Sequence, residues 1–163
     1  MFEALRPKIT RYALRFYPCY RRTGVQIQHV SADFREIRLK LPLNWKTRGY
    51  NGTTFGGSIY GCVDPVYMTM LSLLLGKEYI VWDRAATIDF IRPGRSALYA
   101  TFRLPENEIQ QIRAELETAD RIQRTYCPEL LDEHGLLHAK FSKTIVIKRR
   151  ESSRPRVPQG PGQ

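Results

Sequence analysis

The sequence predicts an α+β domain in which one antiparallel sheet curls around a single long buried helix. Three observations carry that expectation. The segment from Phe55 to Leu75 is the longest apolar run of the chain, too long for one strand. The segments before and after it mostly alternate apolar and polar residues with a period of two, the strand period. Short turn-like connections join those strands, which makes neighbours antiparallel.

Each element follows from local pattern. Phe2, Leu5, Ile9, Tyr12, Ala13 and Phe16 recur at helical spacing, while Arg6, Lys8, Arg11 and Arg15 fill other positions and Pro7 suits a first turn. That predicts a short basic amphipathic helix, covering an edge of its own domain or lying on an anionic membrane surface. Val25, Ile27 and His29 alternate with Gln26 and Gln28; after a turn at Ser31-Ala32-Asp33, Ile37, Leu39 and Leu41 alternate with Arg38 and Lys40. This is strand with one solvated face. Residues 45–54 read as loop, and the buried helix then runs to Gly76-Lys77. Residues 79–91 and 97–104 read as strands; Arg92-Pro93-Gly94-Arg95 between them has Pro and Gly where a type II turn wants them, predicting a hairpin. Pro105 opens a second helix, with Glu106 and Glu108 in its first turn and Ile109, Ile112, Leu116 and Ala119 as its apolar stripe. A last pair of strands, about 123–131 and 136–147, turns at Glu133-His134-Gly135. The expected organisation is one domain over residues 1–148 and a basic, proline-rich, disordered tail over 149–163.

A chain of 163 residues with 42% hydrophobic and 26% charged residues has the composition of one globular domain. Its net charge of +10 is unevenly placed. Residues 1–24 carry six basic residues against one acidic, residues 143–163 the same, and residues 25–142 balance at fourteen of each. A neutral body with basic ends is not the footprint of a nucleic-acid-binding fold, which carries its excess on a face of the domain. Cys19, Cys62 and Cys127 are odd in number and form no CxxC pair, the pattern of a reduced, cytoplasmic chain, with Cys62 packing as a small hydrophobe.

The chemistry concentrates where loop enters helix. Gly52-Thr53-Thr54-Phe55-Gly56-Gly57 runs into the apolar segment, and Asp64 follows Gly56 by eight residues. Glycines at a helix start leave first-turn N–H groups open to a ligand carbonyl at the positive end of the dipole. The same glycines also serve close helix-to-sheet packing. Asp64 projects from an otherwise apolar helix, where an unpaired carboxylate is costly. It equally suits the cap of a helix starting at Pro65, with residues 56–63 irregular.

These residues resemble a known signature. Gly52-Thr53-Thr54-Phe55-Gly56-Gly57 with Asp64 is similar to the Gly-Thr-x-His-Gly-Gly motif and following Asp of hotdog-fold thioesterases, with Phe55 at the position of the His and Asn51 close to that of an upstream Asn. Gly52-Thr53, Phe55-Gly56-Gly57-Ser58, Asp64-Pro65, Tyr79-Ile80-Val81-Trp82-Asp83 and Phe90-Ile91-Arg92-Pro93-Gly94-Arg95 more closely resemble the hotdog branch called DUF4442. The resemblance implies a hotdog fold, a homodimer or a dimer of dimers (homotetramer), active sites at the subunit interface, and an acyl-CoA thioesterase. Coenzyme A would be part of the substrate, and no separate cofactor is implied. Gly56 would supply the oxyanion N–H and Asp64 the general base or nucleophile, with Gly57, Phe55 and Asn51 beside the substrate. Asp83 and Thr87 would complete the site as second-subunit polar residues, and Arg92 and Arg95 would meet coenzyme A phosphates. For Asp83 a solvated pairing with Arg84 is the competing assignment, and for the two arginines simple solvation.

Other constellations are weaker. His134, His138 and Glu133 fall in unlike environments for a metal site. No phosphate loop of the GxxxxGKS/T or GxGxxG type and no serine nucleophile elbow occurs. Three classes of function stay open: a thioester hydrolase, a hotdog module that binds acyl-CoA or a lipid-like ligand without cleaving it, and a membrane-surface or nucleic-acid adaptor working through the basic ends.

Overall fold

The computed structural model describes residues 16–150. The N-terminal amphipathic stretch before residue 16 and the tail beyond residue 150 lie outside the described residues. Element order is α1 (Pro18–Arg22), β1 (Gln26–Val30), β2 (Glu36–Leu41), α2 (Gly56–Val63), α3 (Val66–Leu75), β3 (Tyr79–Phe90), β4 (Leu98–Arg103), α4 (Glu106–Thr118), β5 (Arg121–Tyr126), β6 (Glu129–Leu131) and β7 (Leu137–Arg149). The seven strands form one antiparallel sheet in the order β1-β2-β4-β6-β7-β3, with β5 also pairing β7.

The sheet buries one face against α2 and α3. Ile59, Cys62, Val63, Val66, Tyr67, Met70, Leu71 and Leu75 of the helices meet Ile37, Leu39, Leu98, Ala100, Phe102, Phe141, Ile145 and Ile147 of the strands. By length and composition Gly56–Leu75 could cross a membrane; here half of its apolar window lies buried inside the fold. Cys62, with its thiol pushed up to about 12 by burial, packs as the apolar residue expected of it. The helix is continuous in direction but broken in pattern. Pro65 has no N–H to give, so the chain passes through an Asp64-Pro65 turn between α2 and α3. Residues 56–63 are helical, which removes the reading of an irregular stretch ahead of a cap at Asp64.

The expected hairpin between β3 and β4 does not form. β3 pairs with β7, and β4 lies between β2 and β6. Gly94 does not take the positive φ of a type II turn. The connection instead spends its backbone groups on distant neighbours: Gly94 O accepts from Thr54 N at 2.8 Å, and His138 O accepts from Ile91 N and Arg92 N at 2.8 and 3.1 Å. The crossover thereby pins the loop that starts α2. The expected strand over 123–131 is two strands, β5 and β6, parted at Cys127-Pro128. The turn at Glu133-His134-Gly135 is present, with Gly135 at φ 80°.

Candidate active site

Asp64 sits at the break between α2 and α3, and its carboxylate meets a residue the motif reading did not include. The Nζ of Lys143, on β7, donates to Asp64 Oδ1 at 2.7 Å and to the Asp64 carbonyl at 2.5 Å. The same ammonium lies 3.2 Å from Asp83 Oδ1, an ion-pair contact without hydrogen-bond geometry. The Lys143 side chain is wholly inaccessible, while those of Asp64 and Asp83 are 40% and 28% exposed. A buried ammonium is tolerated only with such partners. Tyr60, one helical turn before Asp64, places its phenol near the Asp64 charge. Burial chiefly, and then the neighbouring Asp64 charge, hold the Tyr60 phenol above its ordinary range.

The backbone explains why these side chains meet. β7 alternates inward Ala139, Phe141, Lys143, Ile145 and Ile147, so Lys143 stands in a row of core residues under the helix. Asp83 pairs across the ladder with Ile145, and Ala86 with Lys143 itself. An irregularity in the pairing between Asp83 and Ala85 inserts one residue, Arg84. Without it Asp83 and Thr87 would share a face; with it Asp83 lies with Lys143 and Thr87 pairs with Ser142, on the other face. The structure therefore brings Asp64 and Asp83 of one chain together and leaves Thr87 exposed elsewhere. Asp83 is engaged by Lys143 rather than by Arg84.

Burial raises the Asp83 pKa above the ordinary 3.8; Lys143 opposes the shift and the Asp64 charge adds to it. A carboxyl with a raised folded-state pKa contributes stability below its unfolded value and loses it as pH rises through the folded value. Asp83→Asn removes that loss. Urea titrations across the carboxylate range should show the stability difference between variant and wild type moving in the variant's favour as pH rises, and the opposite trend would refute the assignment.

At the other end of α2 the glycine pair is bracketed by two rings. A methyl group on Gly56 would stand 3.3 Å from Phe90 Cζ, and one on Gly57 would stand 2.3 Å from Phe55 Cε1. The first intrahelical bonds run from Ser58 N and Ile59 N to Phe55 O, so the N–H groups of Gly56 and Gly57 precede them. Phe55, at the N-cap position with its ring 58% exposed, makes no side-chain cap. Asn51 is exposed in the preceding loop, Arg92 donates to Leu137 O at 2.8 Å, and Arg95 is exposed. His138 is buried with its Nε2 3.3 Å from Asp132 Oδ2, and no cluster of three metal-ligating side chains occurs among the described residues.

A groove of about 210 Å3 opens beside Asp64, lined by Tyr17, Cys19, Tyr20, Thr23, Gly61 and Pro65. It is mostly aromatic and apolar in its walls, and Asp64 is its one acidic residue among those described. Gly61 lets α1 approach closely, since Thr23 Cγ2 stands 2.8 Å from where a Cβ would be.

A protein-family model described as a domain of unknown function, DUF4442, matches residues 6–127. The chain belongs to the DUF4442 family. No curated protein sequence matches it. Solved structures agree in fold. A protein of unknown function from Pseudomonas aeruginosa superposes with a TM-score of 0.78 at 16% identity, covering 88% of this chain and 95% of that one. A thioesterase from Haemophilus influenzae gives 0.65 at 15% identity over 88% and 90% of the two chains. The PaaI protein of the E. coli phenylacetic acid degradation operon gives 0.61 at 16% identity over 91% and 94%. This DUF4442 chain thus has the hotdog fold, a sheet wrapped on a central helix. In it Gly56 and Asp64 lie at the two ends of α2.

Proposed function

We propose that the protein hydrolyses acyl thioesters, with Asp64 as general base and the Gly56 N–H as oxyanion donor from a second copy of the chain. The observation that carries this reading is Asp64, its carboxylate held by Lys143 yet 40% exposed, at a residue that lines an apolar groove. Likeness in fold to the Haemophilus influenzae thioesterase supports the reaction class. Asp64 takes a proton from water as the water oxygen attacks the thioester carbon. The carbonyl oxygen gains negative charge against the N–H at a helix N-terminus, where such donors are preorganised. The C–S bond then breaks, and the departing thiolate takes the proton back from Asp64. Coenzyme A is the natural thiol for such a substrate.

The separation within one chain is what supports a second copy in this reading. Eight residues of helix separate Gly56 from Asp64 by about 12 Å, too far for one reacting carbon to touch both. β3 is a 12-residue edge strand, paired on one side only, with Ile80, Trp82 and Phe90 exposed on it. Such an edge is a template for another strand. If two β3 strands pair antiparallel about Ala86 and Thr87, Asp83 of one copy stands opposite Phe90 of the other. Phe90 packs on Gly56 and Asp83 shares Lys143 with Asp64, so this pairing carries the glycine of one copy toward the carboxylate of its partner.

Ile80→Glu combined with Trp82→Glu should give a monomer in sedimentation and lower hydrolysis at least about 100-fold, the scale of losing one oxyanion donor. A monomer that retains full hydrolysis would overturn the shared site. A second reading, a module that binds an acyl thioester without cleaving it, is favoured by Phe55 at the signature His position and by the hold of Lys143 on Asp64 Oδ1.

A further inference from the structure

Helix α1 separates two cavities. Its residues Tyr17, Cys19 and Tyr20 face the groove at Asp64. Phe16, Pro18, Arg21 and Arg22 instead join Trp45 and Lys46 around an open cleft of about 620 Å3, and a neighbouring cleft of about 460 Å3 shares Phe16, Arg21, Trp45 and Lys46. Trp45 is 84% exposed and Phe16 60%. Among the described residues no carboxylate lines either cleft. Lys46 Nζ stands 5.1 Å from the Trp45 ring centre, so cation and ring are presented together.

Exposed aromatic rings flanked by cations match the boundary of a bilayer. The rings enter the headgroup layer, and each nearby Lys or Arg is drawn to anionic lipid. In sequence, the residues before Phe16 include Arg6, Lys8, Arg11 and Arg15 against the single Glu3. We propose that the cleft formed by α1 and Trp45-Lys46 docks the protein on an anionic membrane surface. The groove at Asp64 then lies across one helix from the lipid. Charge complementarity selects anionic over neutral lipid, and the exposed rings select a bilayer over a soluble phosphate. The docking goes beyond the proposed hydrolysis and does not depend on it.

The test uses the full chain carrying Trp82→Phe, which leaves Trp45 as the only tryptophan, with vesicles of phosphatidylcholine alone or mixed with phosphatidylserine. The expected result is co-sedimentation with the mixed vesicles, a blue shift of Trp45 emission on binding, and release by added salt. Arg21→Glu with Arg22→Glu should weaken binding at least about tenfold. Its melting temperature and its hydrolysis of soluble acyl-CoA should stay unchanged, so a failure of docking and a failure of the hydrolysis reading are distinguishable. Absence of vesicle binding, binding that survives the charge reversal, or binding without a blue shift would each overturn the proposal. Quenching of Trp45 by inorganic pyrophosphate without vesicle binding would also overturn it and make the cleft a soluble-phosphate site.

Discussion

Asp64→Ala is expected to lower kcat for acyl-thioester hydrolysis by about 100- to 10,000-fold, the range over which a positioned general base contributes. Substrate affinity should change little, because the groove walls of Tyr17, Tyr20, Thr23 and Pro65 are untouched. The substitution also leaves Lys143 with only Asp83 as its carboxylate partner, so a loss of activity must be separated from a loss of fold. Asp64→Asn makes that separation. Its amide oxygen can still accept from Lys143, while the group can no longer take a proton from water. The Asn variant should therefore melt near the wild-type temperature and be as inactive as the Ala variant. Steady-state thiol release and a thermal melt, run on both variants, check the pair of outcomes. An Asn variant with wild-type kcat would remove Asp64 from the chemistry.

The largest effect on stability is expected at Lys143. Lys143→Met places an apolar chain of similar length in a fully buried position but strips Asp64 and Asp83 of the cation between them. Removing one partner of a buried ion pair typically costs about 3–5 kcal/mol. Because Asp64 is 40% exposed and can turn to water, the cost here falls near the lower end. In a domain of this size that corresponds to a drop in Tm of about 6–12 °C. Adding Asp83→Asn to Lys143→Met removes the Asp64–Asp83 repulsion that the lysine had offset and should recover part of the loss. Denaturant titrations of the two single variants and the double variant give the coupling directly, and additive effects would contradict a shared ion pair. Hydrolysis should fall in Lys143→Met as well, since Asp64 loses the donor that fixes its carboxylate. Partial recovery of kcat at saturating substrate in the double variant would not be expected, because Asp83→Asn restores charge balance but not the anchor.

The element order and the buried helix were legible in the sequence because the first rests on periodicity and the second on the length of one apolar run. Strand pairing was not. Pro93 and Gly94 look like hairpin residues in isolation, but their local preference is outweighed by long-range partners: Thr54 on one side and His138 on the other. At the site, Asp64 and Gly56 could be found from a motif, since they lie close in the chain. Lys143 lies 79 residues from Asp64, and only the sheet brings it near. A signal for it was nevertheless present. Ala139, Phe141, Ile145 and Ile147 mark the inward face of β7, and Lys143 falls in that row, where a charge needs a buried partner. Counting Lys143 among the basic residues of the C-terminal end concealed this, because the fold places it in the core. The parting of Asp83 from Thr87 turns on the extra residue at Arg84, and nothing in the local sequence marks an irregularity there.

On the proposed reading, the groove at Asp64 cleaves a thioester and does not merely hold one. Thiol release by the wild-type chain, followed across a panel of aliphatic and aromatic acyl-CoA substrates, tests it most directly. Release well above the uncatalysed rate for at least one substrate is the predicted result. Saturable binding of the same substrates with no thiol released from any of them would contradict the claim.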